Sequence, residues 1–209
     1  MRVGIGITTY NRIACLKKTL AHNMPAYEGC RVIISDDGST DGTVEFLETS
    51  GFDFITGENA GVATSKNKLF HLLCDCDYIF QLDDDIAVHK GFVDLYINAF
   101  LKTGIEHFTF NPAGRQWGGV VKESEFDGVT IQHFEFAGGA FAFHTKRAVC
   151  DGYETWSHRD LSTKIWRAAM SGWEQVNHIK GSEEFVELLS VSSSCADRNL
   201  FMRGPECSI

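Results

Sequence analysis

Three carboxylates in a row, Asp83-Asp84-Asp85, follow directly on the run Tyr78-Ile79-Phe80-Gln81-Leu82. A strand can bury Tyr78, Ile79, Phe80 and Leu82, but consecutive ionised aspartates repel one another and are not buried unpaired. Something positive must sit against them. Carboxylate oxygens are hard ligands that suit Mg2+ or Mn2+, and such an ion usually completes its shell with substrate phosphates. The competing reading is a solvated acidic turn. Two more polar turns stand where apolar runs end: Thr8-Thr9-Tyr10-Asn11-Arg12 and Asp36-Asp37-Gly38-Ser39. The ends of adjacent parallel strands lie side by side, so these turns converge on one crevice at the carboxyl ends of the strands, where open α/β sheets take ligands.

The elements that must position these turns follow from periodicity. Val3 to Thr8 reads as a first strand and Ile13 to His22 as a helix with Ile13, Leu16 and Leu20 on one face. Arg31 to Ser35 is a second strand, apolar enough to be covered on both faces. Asp41 is placed to cap a helix holding Val44, Phe46 and Leu47, with Gly51 as its stop. Phe52 to Thr56 is a third strand, and Val62 to Cys74 a helix with Leu69, Leu72 and Leu73 inward. The strand that leads into the aspartates is the fourth. The first half is therefore β-α-β-α-β-α-β, a parallel sheet of crossover units.

The second half changes character. Phe92 to Leu101 is helical, followed by short aromatic and glycine-rich pieces: Phe108-Thr109-Phe110, Gly118 to Val121, and Phe134 to Phe143. These read as mixed or antiparallel strands beside the first sheet. Asp160 to Ser171 reads as a helix, and a helix or strand is expected between Gly181 and Leu189. The expected organisation is one domain over 1–209, with a nucleotide-binding half at 1–102, an acceptor or catalytic half at 103–191, and a loose tail at 192–209.

The totals narrow the classes. The chain has 209 residues, 44% hydrophobic and 22% charged, an ordinary globular composition. Nineteen Lys and Arg against 28 Asp and Glu give a net charge of -9, which argues against broad nucleic-acid binding. Seven cysteines without paired zinc-site spacing suggest reduced thiols, and with no signal peptide or membrane-span-length apolar run the expectation is a cytoplasmic protein. No GxxxxGK[ST] or GxGxxG loop is present, which disfavours P-loop and dinucleotide-binding enzymes.

The turns in their order resemble a known family. Thr-Thr-Tyr-Asn-Arg after the first strand, Asp-Asp-Gly-Ser-Thr-Asp-Gly-Thr after the second, Asn-Ala-Gly-Val-Ala-Thr-Ser-Lys-Asn before a helix and Leu-Asp-Asp-Asp after the fourth strand look like the inverting family 2 glycosyltransferases. Gly-Gly-Ala-Phe-Ala-Phe and Asp-Leu-Ser-Thr-Lys-Ile-Trp-Arg-Ala match further along. The resemblance implies a GT-A fold: a largely parallel, Rossmann-like sheet flanked by helices, with a smaller mixed β region.

It also implies roles. Thr8 and Tyr10 would line the base pocket of the donor, and Asp37, or Asp36, would accept from the imide of a uracil-like base; the alternative for both aspartates is turn formation and capping. Lys66 and Asn67 would sit near the sugar or diphosphate, Lys66 otherwise lying on an exposed helix face. Asp83 would face the ribose or the metal's water shell, and Asp85 would ligate Mn2+ or Mg2+. Asp84, in the same donor-binding turn, would point away because side chains alternate in extended chain. His178 is a candidate additional metal ligand, set against a structural histidine.

The family often carries a Glu-Asp pair two positions before the Asp-Leu that opens a helix. Here the stretch reads Trp156-Ser157-His158-Arg159-Asp160-Leu161, so His158 stands at the base position and Asp160 is its rival, with helix capping as Asp160's other role. Trp156 would stack on an acceptor sugar or pack at the domain edge. Gly138 and Gly139 would allow close backbone approach to donor sugar or acceptor, or form a bulged strand. The expected partners are a nucleotide-sugar donor, UDP-linked, and a glycan or other hydroxyl acceptor. Two other readings stand beside this one: a nucleotidyltransferase making nucleotide sugars, and a non-catalytic nucleotide-sugar-binding domain.

Overall fold

A computed structural model of the chain describes residues 1–110, 120–134, 141–147 and 176–188. Along these the order is β1 (Val3–Thr9), α1 (Ile13–Asn23), β2 (Arg31–Asp36), α2 (Thr43–Ser50), β3 (Asp53–Ile55), α3 (Val62–Leu72), β4 (Tyr78–Asp83), β5 (Ile86–Val88), α4 (Phe92–Thr103), β6 (His107–Thr109), β7 (Val120–Phe126), β8 (Val129–Phe134), β9 (Phe141–Thr145), β10 (Val176–Ile179) and β11 (Val186–Leu188). The main sheet runs β3-β2-β1-β4-β9-β6. Its first four strands are parallel, as the crossover pattern predicts, while β9 pairs antiparallel with β4 and β6 antiparallel with β9. This is the mixed α/β arrangement expected, with the antiparallel strands added on the β4 side.

Burial explains the layering. β1 is buried at every position, because α3 covers one face and α1 the other side of the sheet. Gly4 makes the α3 side possible: a Cβ there would lie 2.9 Å from Leu73 Cδ2. Ile33, Leu69, Phe70, Leu73, Cys76 and Ile79 fill that face. The opposite face is larger and aromatic, with Phe80 against Phe92 at 4.9 Å between ring centroids and Tyr96 against Phe141 at the same separation. Such tilted and edge-to-face contacts add to the area these rings remove from water.

Two smaller sheets complete the described fold. β7 and β8 form a hairpin across Asp127 and Gly128, both at positive φ (45° and 79°), as a two-residue type I′ turn requires, and β10 adds antiparallel to β8. β11 pairs antiparallel with β5. The buried Asn23 side chain at the end of α1 donates to Ile86 O and accepts from Val88 N, both at 2.9 Å, locking the helix onto β5.

Several expectations need correction. Leu72, expected inward, is 38% exposed at the last position of α3; the helix face that packs carries Leu69 and Phe70, and Leu73 follows as its cap. Asp41 does not itself hold the capping position of α2; Gly42 does, and Asp41 instead accepts from Thr43 N at 3.2 Å and from Ile13 N at 2.9 Å, joining the starts of two helices. Of the expected strand between Gly118 and Val121, Val120 and Val121 open β7, which runs on to Phe126, and Gly118 and Gly119 lie outside the described residues. The expected helix over Asp160 to Ser171 lies outside the described residues.

Candidate active site

The turns that follow β1, β2 and β4 are laced together by side chains. Asp37 N donates to Thr9 O at 3.0 Å, Asn11 N to Ser39 Oγ at 2.7 Å, and Thr40 N to Asn11 Oδ1 at 2.7 Å. On the other side, Thr8 Oγ1 lies 3.4 Å from Asp83 Oδ1 and Thr9 Oγ1 donates to Asp84 Oδ2 at 2.7 Å. Parallel pairing sets this up, since Thr8 stands opposite both Ser35 on β2 and Asp83 on β4.

Asp36 and Asp37 are both buried, at 2% and 4% exposure. Asp36 Oδ2 accepts from Gly38 N and Ser39 N at 3.1 Å and from Thr56 Oγ1 at 2.7 Å, which makes it the organiser of its own turn. Asp37 accepts from Ala60 N at 3.0 Å and Gly61 N at 2.8 Å, holding the loop before α3 against the end of β2. A carboxylate offers about four lone-pair sites, so these two bonds leave acceptor capacity on Asp37. Gly38 sits at φ +83°, where a Cβ would lie 2.7 Å from Gly57 O. Gly38→Ala is therefore expected to destabilise the protein by about 2 kcal/mol or more, the left-handed backbone alone accounting for roughly 1–2. Urea unfolding of the variant checks this, and a loss below about 0.5 kcal/mol would show that the turn yields.

The aspartate turn is not arranged by alternation. Asp84 and Asp85 lie beyond the end of β4 in a tight turn, and both side chains are buried at 2% exposure. Arg12 bridges them, with its guanidinium 2.6 Å from Asp84 Oδ1 and 3.2 Å from Asp85 Oδ2. Asp84 thus faces inward onto Arg12 and Thr9. Burial pushes the Asp84 carboxyl up to about 7, against the pull of Arg12 and the Thr9 hydroxyl. Burial also works against the Arg12 charge, but Asp84 and Asp85 more than offset it and raise its pKa. Asp83 differs from its neighbours: its side chain is one-third exposed, and Lys66 Nζ lies 2.8 Å from its Oδ1.

Lys66 does not take the exposed-face alternative. It is 2% exposed, so it is not on a solvated helix face. Gln81 Nε2 donates to Lys66 O at 2.8 Å, pinning this turn of α3 behind β4 so that the ammonium reaches forward to Asp83. Asn67 is half-buried beside it, and Tyr10 is half-buried in the first turn. Thr8, Tyr10, Asp36, Asp37, Lys66 and the three aspartates thus gather at one end of the sheet.

His178 is placed elsewhere. It lies on β10 in the three-stranded sheet, buried at 1%, with Nε2 3.1 Å from Glu183 Oε1 and its ring 5.8 Å from Phe110. Among the described residues, Asp83, Asp85 and His178 do not form a three-ligand cluster. Gly138, Gly139, Trp156, His158 and Asp160 lie outside the described residues. Arg12 is the site residue that sequence reasoning left without a role; its place at the end of the first polar turn was the available signal. The four described cysteines that carry no disulfide are Cys15, Cys30, Cys74 and Cys76. No helix among the described residues is long and apolar enough to cross a membrane.

Comparison with known proteins agrees with this geometry. The model of "Glycosyl transferase family 2" matches residues 5–166. An uncharacterized glycosyltransferase of Acanthamoeba polyphaga mimivirus is 28% identical over 158 residues, covering 69% of this chain and 61% of the relative. The chondroitin synthase of Escherichia coli is 32% identical over 109 residues, covering 48% of this chain and 15% of the synthase. The chain thus spans less than two thirds of the length of either relative. Among solved structures, S. aureus TarS in complex with UDP-GlcNAc superposes with a TM-score of 0.63 at 14% identity, covering 87% of this chain and 56% of that one. Glucosyl-3-phosphoglycerate synthase from Mycobacterium tuberculosis, in complex with Mn2+, UDP and phosphoglyceric acid, superposes at 0.53 with 16% identity, covering 70% and 56%. The chain belongs to glycosyl transferase family 2 and has the GT-A fold of a glycosyltransferase.

Proposed function

We propose that this domain transfers a sugar from a UDP-linked donor to a hydroxyl of a glycan or other acceptor, with inversion and with help from a divalent cation. The observation that carries the reading is the convergence of Thr8, Asp37, Lys66 and Asp83 at the carboxyl end of one parallel sheet. The relatives' complexes with UDP and Mn2+ support the donor class and the cation.

Asp83 offers a hard cation an oxygen ligand at the surface of the turn, and Asp85 would turn from Arg12 to add a second. Thr8 and Lys66 both address Oδ1 of the part-exposed Asp83, and no partner of Oδ2 is present among the described residues. Asp83 and Asp85 would hold Mn2+ or Mg2+, which as a Lewis acid would stabilise charge developing on the departing diphosphate. Lys66 brings a second positive charge to the same place, from a helix fixed behind β4. Asp37 accepts from the base imide, and its position is set by the Ala60 and Gly61 amides. Tyr10 offers an aromatic face to the base, and Asn67 a carboxamide near the sugar or diphosphate. His158 takes the proton from the acceptor hydroxyl, Asp160 being its alternative, with Trp156, Gly138 and Gly139 toward the acceptor.

Calorimetric titration of UDP in the presence of Mn2+, with GDP as control and EDTA as reversal, tests the proposal. Metal-dependent UDP binding is expected, and Asp83→Asn or Asp85→Asn should weaken it by roughly 10–100-fold or more. Equal UDP affinity in EDTA would remove the cation from the account, and absence of nucleotide binding would leave the transferase assignment without its donor.

A further inference from the structure

Away from the crevice, His22, His89 and Glu187 bring one ligand atom each within 4.8 Å of one another. They come from three separate parts of the chain: the last turn of α1, the residue after β5, and the middle of β11. The His22 and His89 rings meet edge to face with centroids 5.0 Å apart, and His89 Nε2 lies 3.3 Å from Glu187 Oε1. We propose that these residues form a second, transition-metal site of the Zn2+ class, chemically distinct from the hard-cation site in the crevice.

The donor set and the spacing support this. Two imidazoles and a carboxylate suit Zn2+ and its neighbours, whereas Mg2+ favours an all-oxygen shell. With metal–ligand bonds of about 2.0–2.1 Å, the edge of a tetrahedron around Zn2+ is roughly 3.3–3.4 Å. The His89–Glu187 separation already has that length. His22 is exposed and closes the remaining distance by side-chain rotation. Three protein ligands leave a fourth position for water.

The backbone around the site is held. Asn23, the neighbour of His22, is bonded to Ile86 O and Val88 N, so the end of α1 cannot drift from β5. Glu187 pairs with Ala87, and His89 stands two residues further on the same face of β5, a diagonal cross-strand neighbour. His89 N donates to Phe185 O at 2.9 Å, which fixes the register. Gly91, which precedes α4, packs under Phe185, leaving 3.2 Å between that ring and a Cβ built on the glycine. A metal here would staple β11, late in the chain, to the end of the first helix, and binding to the folded form alone raises stability by mass action.

The test uses the full chain after EDTA treatment and dialysis. Zn2+ is titrated calorimetrically and thermal unfolding is followed with and without it. Co2+ substitution is read by absorption. The expectation is one Zn2+ that excess Mg2+ does not displace, a rise in Tm, and Co2+ bands without thiolate charge transfer. His22→Gln, His89→Gln and Glu187→Gln should each lose that equivalent and the Tm rise while keeping Mn2+-dependent UDP binding. Because His22 is exposed, its variant tests the site even if another variant folds poorly. Unchanged Zn2+ uptake in the folded variants, or a thiolate band showing that cysteines bind the ion, would overturn the proposal. Loss of UDP binding in the wild type would count only against the donor reading.

Discussion

Arg12→Ala is expected to destabilise the protein by about 3–5 kcal/mol, the usual cost of removing one partner from a buried ion pair. Both carboxylates it bridges are 2% exposed, so water cannot take over from the guanidinium without opening the turn. Urea unfolding at pH 8 reads the loss, and a deficit under about 1 kcal/mol would mean that the turn relaxes into solvent. Arg12→Lys should recover part of it, because an ammonium keeps the charge but cannot fork to two aspartates. The pH dependence carries a sign. Burial raises Asp84 to about 7 in the folded state, above its unfolded value, so the folded state holds more protons between the two values. Stability from this group falls as pH rises through that window. The Arg12→Ala deficit should therefore shrink at pH 5, where Asp84 takes up a proton and no longer needs the cation.

The second large effect lies in the core. His107 and His144 are fully buried, stacked with centroids 4.7 Å apart and with Nδ1 atoms 3.2 Å from each other. His107 Nδ1 is also 3.2 Å from Phe143 O, and a carbonyl only accepts, so His107 Nδ1 carries the proton and His144 Nδ1 receives. Burial depresses His107 to about 3 and holds His144 well below the usual imidazole range, where His107 and Lys66 add repulsion. Here the unfolded state binds more protons between pH 6.5 and 3, so stability is lost as pH falls below 6.5. At pH 5 the loss from His107 is about 2 kcal/mol, from 1.36 kcal/mol per pH step, and His144 adds to it in the same direction. Asp84 works in the opposite sense over the same range, so the histidine effect is read by difference: between pH 7 and 5 the urea midpoint should decline more in the wild type than in His107→Leu. Parallel profiles for the two proteins would show that the pair accepts a proton in place.

What could be read from the sequence and what could not divide along physical lines. β1 to β4 and their parallel order were legible because each is a short apolar run ending in a polar turn, a local pattern. The meeting of Thr8, Asp37 and Asp83 was legible for the same reason, since parallel strands end together. Arg12 was not, because its bond to Asp84 and Asp85 joins residues far apart in the chain, and its place at the end of the first polar turn does not name those partners. Lys66 left two readings open, a place near the donor or an exposed helix face, because α3 opens with a polar stretch; that stretch is buried against the sheet, with Gln81 of β4 bonded to Lys66 O. β5 is only Ile86-Ala87-Val88, too short to show a period, and its partner β11 comes near the far end of the chain. The Asp127-Gly128 hairpin turn, by contrast, carried a strong local signal that the reading of the second half passed over.

Asn23 has a consequence of another kind. Its carboxamide gives one donor and one acceptor to β5 in the places where a neighbouring chain would offer a peptide group. The strand is thereby finished with a single side chain: β11 occupies one edge and Asn23 closes the other at Ile86 and Val88. An unfinished edge is a template for pairing with another molecule. Asn23 thus acts as a one-residue surrogate strand, meeting backbone groups that β5, fully buried beside α1, could not offer to water.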